Sequence, residues 1–184
     1  SEFDVVGFTL QYELSYTNIL TILDLGGIPL RSENRNDSDP IVLAGGPGAL
    51  SPAPVSPFID AFCVGDGEVL LPDVFKVLYE MKGRTRTEKL QALAKIDGVY
   101  VPQVRQDKPI RRRIAENLDD VFYPTTMIVP STGIVHDRIA VQAFKGCTRG
   151  CRFCQAGMID RPVRERSAES IANQVGQLLK NTGW

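Results

Sequence analysis

Apolar residues in the first half of the chain alternate between short buried runs and longer stretches with helical spacing. Runs that are typical of buried strands occupy residues 3–10, 41–44 and 61–64. Residues 16–25 and 69–81 instead carry apolar side chains on one helical face. Strands that alternate with helices predict a parallel sheet with helical crossovers. We therefore expect an α/β fold that contains part of a doubly wound parallel sheet.

The middle of the chain is less regular and indicates no core of its own. The pattern there predicts a helix at 87–96, a strand at 98–101, a charged connector at 105–113 and an extended segment at 117–124. We interpret residues 83–136 as a linker. It separates a first domain at 1–82 from the start of a second domain at 137–184.

The last part of the chain resumes the strand and helix pattern. Residues 138–144 alternate as in a strand, and a helix is expected to begin at Ser167, whose hydroxyl can cap free amide groups. Gly183 fits the position just after that helix. These elements predict one β-loop-α unit, with a cysteine-rich loop at the carboxyl end of its strand.

Composition and charge agree with a soluble globular protein. The 184 residues are 43% hydrophobic with a net charge of -1. No apolar run approaches the roughly 20 residues of a membrane-spanning helix, and the first residues lack a basic-then-apolar signal pattern. We therefore predict a cytoplasmic protein without membrane contact.

Charge is distributed unevenly along the chain. Residues 1–83 hold 12 acidic and 4 basic residues, whereas residues 84–184 hold 10 acidic and 17 basic residues. A basic half could face nucleic acid, a phosphorylated small molecule or only water. Without a motif, a solvated face is the simplest interpretation.

Three of the four cysteines lie within eight residues, at Cys147, Cys151 and Cys154. In a reducing compartment such clustering indicates metal binding, because thiolates are soft ligands for zinc and for iron-sulfur clusters. Cys63 stands apart in an apolar run and is expected to be a small core residue.

The Cys-x3-Cys-x2-Cys spacing can place three thiolates around one face of a cubane cluster, which leaves one iron open. Glycines that allow a tight turn beneath the sulfurs are present at Gly146, Gly150 and Gly157. Zinc is the alternative metal, and its fourth ligand would come from His136, Cys63 or an acidic residue. Zinc motifs usually comprise two separated pairs, so the spacing favours the cluster, and a hydrogen-bonded loop role suits His136 better. A zinc-stabilised or metal-free interaction module without catalysis is the alternative.

The cysteine motif, with Phe153 directly before the last cysteine, resembles the signature of radical S-adenosylmethionine (SAM) enzymes. The resemblance implies that Cys147, Cys151 and Cys154 bind a 4Fe-4S cluster and that the open iron binds SAM. It also implies that Phe153 lies near the adenine. An external electron donor would then drive SAM cleavage to a 5'-deoxyadenosyl radical, with the chemistry supplied by the cofactors.

Residues 1–82 resemble the later part of the cobalamin-binding-type domain that one class of these enzymes carries. Gly45 and Gly46 are similar to its glycine loop and are candidate cofactor-binding residues, and residues 65–68 are similar to its third loop. The cobalamin-ligating histidine motif of that class has no counterpart here. Cobalamin therefore stays open as a cofactor.

Five arginines near the cysteines could hold a SAM carboxylate, a phosphate or an RNA backbone: Arg149, Arg152, Arg161, Arg164 and Arg166. No aromatic residues interleave with them as a single-strand stacking platform would require, so RNA is an open partner and the substrate is not predicted. A complete (β/α) barrel needs roughly 200 residues or more, and 30 residues follow Cys154. We expect an internal fragment of a radical SAM enzyme that is inactive by itself.

Overall fold

The structure is a computed structural model that describes residues 3–183. The chain divides into two compact units, Ser1–Ile114 and Ala115–Trp184. Within the described range, no helix has both the length and the apolar character that crossing a bilayer requires.

The first unit is built on a four-stranded sheet in the order β1-β2-β3-β4. Its strands are β1 (Val5–Thr9), β2 (Ile41–Gly45), β3 (Ala61–Cys63) and β4 (Val99–Tyr100). The first three are parallel, with Val5 opposite Ile41, and β4 is antiparallel to β3. Its α-helices are α1 (Tyr16–Leu25), α2 (Gly67–Glu80) and α3 (Arg86–Leu93).

The predicted α/β class is confirmed, but the sheet is mixed rather than purely parallel. One helix, α1, returns the chain from β1 to β2, so these strands are parallel. Two helices, α2 and α3, separate β3 from β4. The second of them returns the chain to the carboxyl end of β3, and β4 consequently runs antiparallel. Both α3 and β4, which the sequence pattern assigns to a linker, belong to the first unit.

The sheet is buried on both faces. Val42 and Ala44 of β2 belong to one hydrophobic cluster, and Ile41 and Leu43 belong to another. Because successive strand side chains point to opposite faces, this alternation means that apolar layers cover the sheet on both sides. Cys63 lies in the second cluster as a core residue, and burial raises the pKa of its thiol to about 11.

A buried carboxylate, Asp60, anchors the loops around this sheet. Its Oδ2 accepts hydrogen bonds from the backbone N–H of Val42 at 2.7 Å and from Nη1 of Arg35 at 2.9 Å. The Arg86 guanidinium forms an ion pair with the same oxygen. The side chains of Arg35 and Asp60 are both 0% exposed. Burial lowers the pKa of Arg35, and the charge of Asp60 counteracts that effect.

The two guanidiniums that contact Asp60 also donate hydrogen bonds to neighbouring loops. Arg35 donates to the carbonyl oxygens of Leu30 at 2.9 Å and Phe58 at 2.7 Å. Arg86, at the start of α3, donates to the carbonyl oxygens of Asp39 and Pro40 at 3.3 and 3.2 Å. One carboxylate therefore links β2, the loops that precede β2 and β3, and α3.

The backbone of Arg113 passes close to the carboxyl end of β3. Its N–H donates to the Val64 carbonyl at 3.0 Å, and its carbonyl accepts from Asp66 N–H at 2.8 Å. Gly65, with φ +142, leaves the necessary space, because a Cβ there would overlap the Arg113 backbone. A Cβ at Gly98, which has φ +87, would lie 3.0 Å from Cγ of the Arg113 side chain. These glycines hold the end of the first unit in place.

The second unit contains a two-stranded antiparallel ribbon and two helices. The elements are β5 (Phe144–Lys145), α4 (Ala156–Ile159), β6 (Arg164–Glu165) and α5 (Ala168–Thr182). The strand predicted at 138–144 is wrong except at Phe144. In the described part of this unit only β6 is available for pairing, and a strand without a partner is not stable.

Helix α5 has the ends that the sequence predicts. The Ser167 hydroxyl accepts from Ser170 N–H at 3.1 Å and caps the helix start. Gly183 adopts the left-handed conformation, with φ 79, at the helix end. Both ends depend on local chemistry, which explains why they could be predicted.

We predict that Asp60→Asn lowers the free energy of unfolding by about 3–5 kcal/mol, because it leaves two buried guanidiniums without a counter-charge. Urea denaturation of the whole chain measures the effect. The matched control is Asp24→Asn, since Asp24 is an exposed residue of α1, and it should change stability by less than about 0.5 kcal/mol. Equal effects of the two substitutions would contradict the role assigned to Asp60.

Candidate metal centre

The cysteine loop begins and ends at the β5–β6 ribbon. Lys145 pairs with Arg164, so the residues between them leave and re-enter the ribbon at neighbouring positions. Gly146 opens the loop with φ +90, and a Cβ there would lie 2.6 Å from Asp160 O and 2.7 Å from Pro162 O. Only glycine fits at this position, where the two ends of the cysteine loop pass close to each other. The position of the first cysteine therefore depends on a contact between the two ends of the loop.

The three loop cysteines carry free thiols. Cys151 is exposed, and Cys147 and Cys154 are half-buried. The sulfur of Cys147 accepts from Arg149 N–H, and the sulfur of Cys154 accepts from Gly157 N–H, each at 3.4 Å. Backbone N–H groups directed at sulfur stabilise negative charge there, and such hydrogen bonds tune bound iron-sulfur clusters.

The middle of the loop is connected to α4. The backbone N–H of Cys154 donates to the Cys151 carbonyl at 3.1 Å, which forms a turn between these cysteines. Gly157 of α4 lies close to the first part of the loop, since a Cβ there would be 3.5 Å from Arg149 O. Arg161 donates to that same carbonyl at 3.1 Å. The segments that carry Cys147 and Cys154 are thus joined through Arg149.

The structure places Cys147, Cys151 and Cys154 in one loop but does not bring them together as a metal site. Across residues 3–183, no three His, Cys, Asp or Glu side chains form a group that could hold a metal ion. Their assignment as metal ligands stays a prediction. The donor chemistry fits an iron-sulfur cluster, because three free thiols lie close in sequence and two already receive backbone N–H groups.

His136, the rival zinc ligand, has a hydrogen-bonding partner within its own loop. Its Nδ1 lies 3.0 Å from Nη2 of Arg138. This is the loop role that the sequence pattern favours for the residue.

Two of the five candidate arginines are buried and hold the protein's own backbone. Arg164 is buried and donates to the Ala115 carbonyl at 2.9 Å. Arg166 is buried, donates to the Leu118 carbonyl, and lies 5.5 Å from the centre of the Tyr123 ring. These contacts attach the segment around residues 115–123 to β6 and to the start of α5. Sequence reasoning had no basis to separate them from surface arginines.

Asp119 is a structural residue that sequence reasoning missed. Its carboxylate oxygens accept from Ser167 N–H at 3.1 and 3.3 Å. Hydrogen bonds from the Ser167 hydroxyl and backbone lower the pKa of Asp119 below its ordinary value. The two residues are 48 positions apart, so no local spacing could have indicated the contact.

Of the predicted cofactor-binding residues, Phe153 is 92% exposed on the cysteine loop. Gly45 and Gly46 lie in the first unit, at the carboxyl end of β2. Gly46 has φ +85, and a Cβ there would lie 3.0 Å from Thr9 Cγ2 and 3.2 Å from Leu10 O. The chain's own backbone therefore explains the glycine. Cofactor binding by these three residues stays a prediction.

Comparison with known proteins gives the family. Residues 1–102 match the family model described as radical SAM proteins, N-terminal. The chain belongs to this family. An uncharacterised protein of Methanocaldococcus jannaschii is 27% identical over 172 residues, which cover 92% of this chain and 34% of that relative. The chain thus spans about a third of the relative's length.

Family membership supports the radical SAM resemblance. The match ends before the cysteine loop, so the first unit and the cysteine motif are separate lines of evidence for the same superfamily. The comparison does not show the cobalamin-binding class.

We predict that Gly146→Ala lowers stability by about 2 kcal/mol or more, because the new Cβ meets two carbonyl oxygens in a backbone conformation that favours glycine. Gly150→Ala is the control, since a Cβ at Gly150 meets nothing within 4 Å. Urea denaturation of both variants provides the measurement. A Gly146→Ala variant as stable as the control would show that the loop ends do not cross as described.

Proposed function

We propose that this chain carries the cluster-binding segment of a radical SAM enzyme, with Cys147, Cys151 and Cys154 as the ligands of a 4Fe-4S cluster. The observation that carries the proposal is the group of three free thiols within one eight-residue segment of a chain that belongs to a radical SAM family. When bound, such a cluster supplies an electron, received from an external donor, for the cleavage of SAM to a 5'-deoxyadenosyl radical.

The loop residues hold and orient the ligands in this proposal. The β5–β6 ribbon and Gly146 set where Cys147 leaves the fold, and α4 supports Cys154 through the N–H of Gly157. Cys151 is exposed, so its sulfur can move toward the other two without breaking core packing. With Cys147, Cys151 and Cys154 as ligands, one iron of the cluster would be left open for SAM.

The exposed side chains of the loop suit a ligand that binds beside the cysteines. Phe153 is next to Cys154 and would cover the adenine, since an aromatic ring removes an apolar ligand face from water. The side chains of Arg149 and Arg152 are exposed and have no hydrogen-bond or ion-pair partner among residues 3–183. They provide positive charge near the site, as an anionic cluster or carboxylate would require.

Of the domains that the sequence pattern predicts at 1–82, 83–136 and 137–184, the proposal keeps the last as the start of the radical SAM domain. The helix α3 and the strand β4 of the predicted linker belong to the first unit instead. Catalysis would belong to the longer protein, and its substrate is not assigned. RNA remains a candidate substrate on charge alone.

Cobalamin is not part of the proposal. The chain's single histidine, His136, lies outside the first unit, and Thr9 and Leu10 occupy the space beside Gly46. These residues therefore give no support to a corrin site in the first unit, and cobalamin stays an open cofactor. Gly45 and Gly46 stay candidates for a smaller ligand, because loops at this edge of a parallel sheet line the usual ligand crevice.

We predict that the chain, reconstituted with iron and sulfide without oxygen, binds about four irons per chain and turns brown. Cys147→Ala, Cys151→Ala and Cys154→Ala should each lose most of the iron, whereas Cys63→Ala should keep it, because Cys63 is a core residue. Iron, sulfide and zinc analysis with absorption spectroscopy provides the test. A colourless zinc protein, or iron retained by all three variants, would refute the proposal.

We predict that Phe153→Ala weakens SAM binding to the reconstituted chain by about tenfold and leaves the iron content unchanged, because it removes apolar cover equivalent to about 1.4 kcal/mol. Phe122→Ala is the matched control, since Phe122 is also exposed, at 81%. Equilibrium dialysis with labelled SAM measures the affinity. If Phe153→Ala and Phe122→Ala lost the same affinity for SAM, Phe153 would not be part of the SAM site.

A further inference from the structure

The first unit contains a cavity of about 1010 Å³ beside the end of α3. Its charged lining comprises Lys95, Asp97, Arg105, Asp107, Lys108, Arg111 and Arg113. Five cations face two carboxylates, a surplus of three positive charges. By contrast, residues 1–114 as a whole hold 15 acidic and 13 basic residues. The cavity therefore concentrates positive charge within a unit that is slightly acidic.

Three of these cations have no partner among the residues that the structure describes. Arg105 pairs with Asp107 at 3.2 Å, and Arg113 pairs with Asp73. The side chains of Lys95, Lys108 and Arg111 have no hydrogen bond or ion pair within residues 3–183. Like charges around one cavity repel each other, and an anion bound there would relieve that repulsion.

The fold holds the walls of the cavity in position. The Gln106 side chain accepts from Val101 N–H at 2.9 Å, and it donates to the carbonyls of Ala94 at 3.0 Å and Val99 at 2.9 Å. This amide fixes the turn that leads into the basic segment at residues 105–113. On the other side, the backbone of Arg113 is fixed against the carboxyl end of β3. The backbone on both sides of the cavity is thus fixed, and binding would order only the exposed side chains that line it.

The uncharged residues that line the cavity indicate the chemical character of the rest of the ligand. Apolar side chains come from Ala94, Ile96, Val104, Pro109 and Ile110, and no aromatic residue within the described range lines the cavity. Single-stranded nucleic acids usually need aromatic stacking surfaces, so the lining does not favour them. Cationic donors beside a compact apolar wall suit a small molecule that carries a phosphate group.

We propose that this cavity binds a phosphorylated small molecule, whose phosphate is held by Lys95, Lys108 and Arg111 and whose apolar part lies against Ile96 and Ile110. The cavity belongs to the first unit and the cysteine loop to the second, and this proposal does not rest on the proposed cluster. The sequence pattern shows this basic segment only as a charged connector.

Binding of inorganic pyrophosphate to the whole chain, measured by calorimetry at low salt, tests the phosphate site. We expect saturable binding that the double variant Lys108→Gln, Arg111→Gln weakens by about tenfold or more, since each charged donor adds to the affinity. Lys89→Gln lies outside the cavity lining and should change affinity by less than about twofold. All of these side chains are at least partly exposed, so circular dichroism should match that of the unaltered chain.

Two further measurements decide the ligand class. n-Butyl phosphate should shift the methyl NMR signals of Ile96 and Ile110, and a single-stranded RNA 12-mer should bind the unaltered chain and the double variant with affinities that agree within about twofold. The proposal is overturned if pyrophosphate does not bind, if the double variant binds it as tightly, if n-butyl phosphate leaves both methyl signals unchanged, or if the double variant weakens RNA binding as much as pyrophosphate binding. Because none of these binding measurements requires iron, a negative result for the cavity leaves the cluster proposal intact.

Discussion

Buried guanidinium groups hold the loops of both units, and this constraint shapes the rest of the structure. Moving a charge out of water is costly unless a counter-charge or hydrogen-bond acceptors compensate for the lost hydration. In the first unit, Arg35 and Arg86 share the carboxylate of Asp60 and hold loop carbonyls around it. In the second unit, Arg164 and Arg166 instead hold backbone carbonyls. Segments with little regular structure are thereby fixed in place.

The candidate metal centre follows from this arrangement. Arg164 belongs to β6, and β6 pairs with β5 directly before Gly146 and Cys147. The frame that begins and ends the cysteine loop is therefore tied to buried contacts, while the sulfur of Cys151 stays exposed. A fixed frame with accessible donors is what a loop needs to receive an inorganic group after folding.

Glycines that resemble ligand cradles in the sequence are, in this structure, places where two segments of the chain meet. Gly46 accommodates Leu10, Gly65 accommodates Arg113, and Gly146 accommodates Asp160 and Pro162. Each position requires glycine for reasons within the protein itself. A glycine-rich strand end therefore predicts close backbone approach more securely than it predicts a cofactor.

Local sequence pattern alone determined the alternation of strands and helices and the bounds of α1. It also determined both ends of α5 and the grouping of three cysteines. Periodicity, capping and spacing act over a few residues, which is why the sequence was sufficient for these features. Only the tertiary structure decided the antiparallel β4, the sharing of Asp60 with Arg35, and the contact of Asp119 with Ser167. These partners lie 25 and 48 positions apart in the two hydrogen-bonded pairs. Separations of that size leave no trace in local sequence, since the folded chain alone brings the groups within bonding distance.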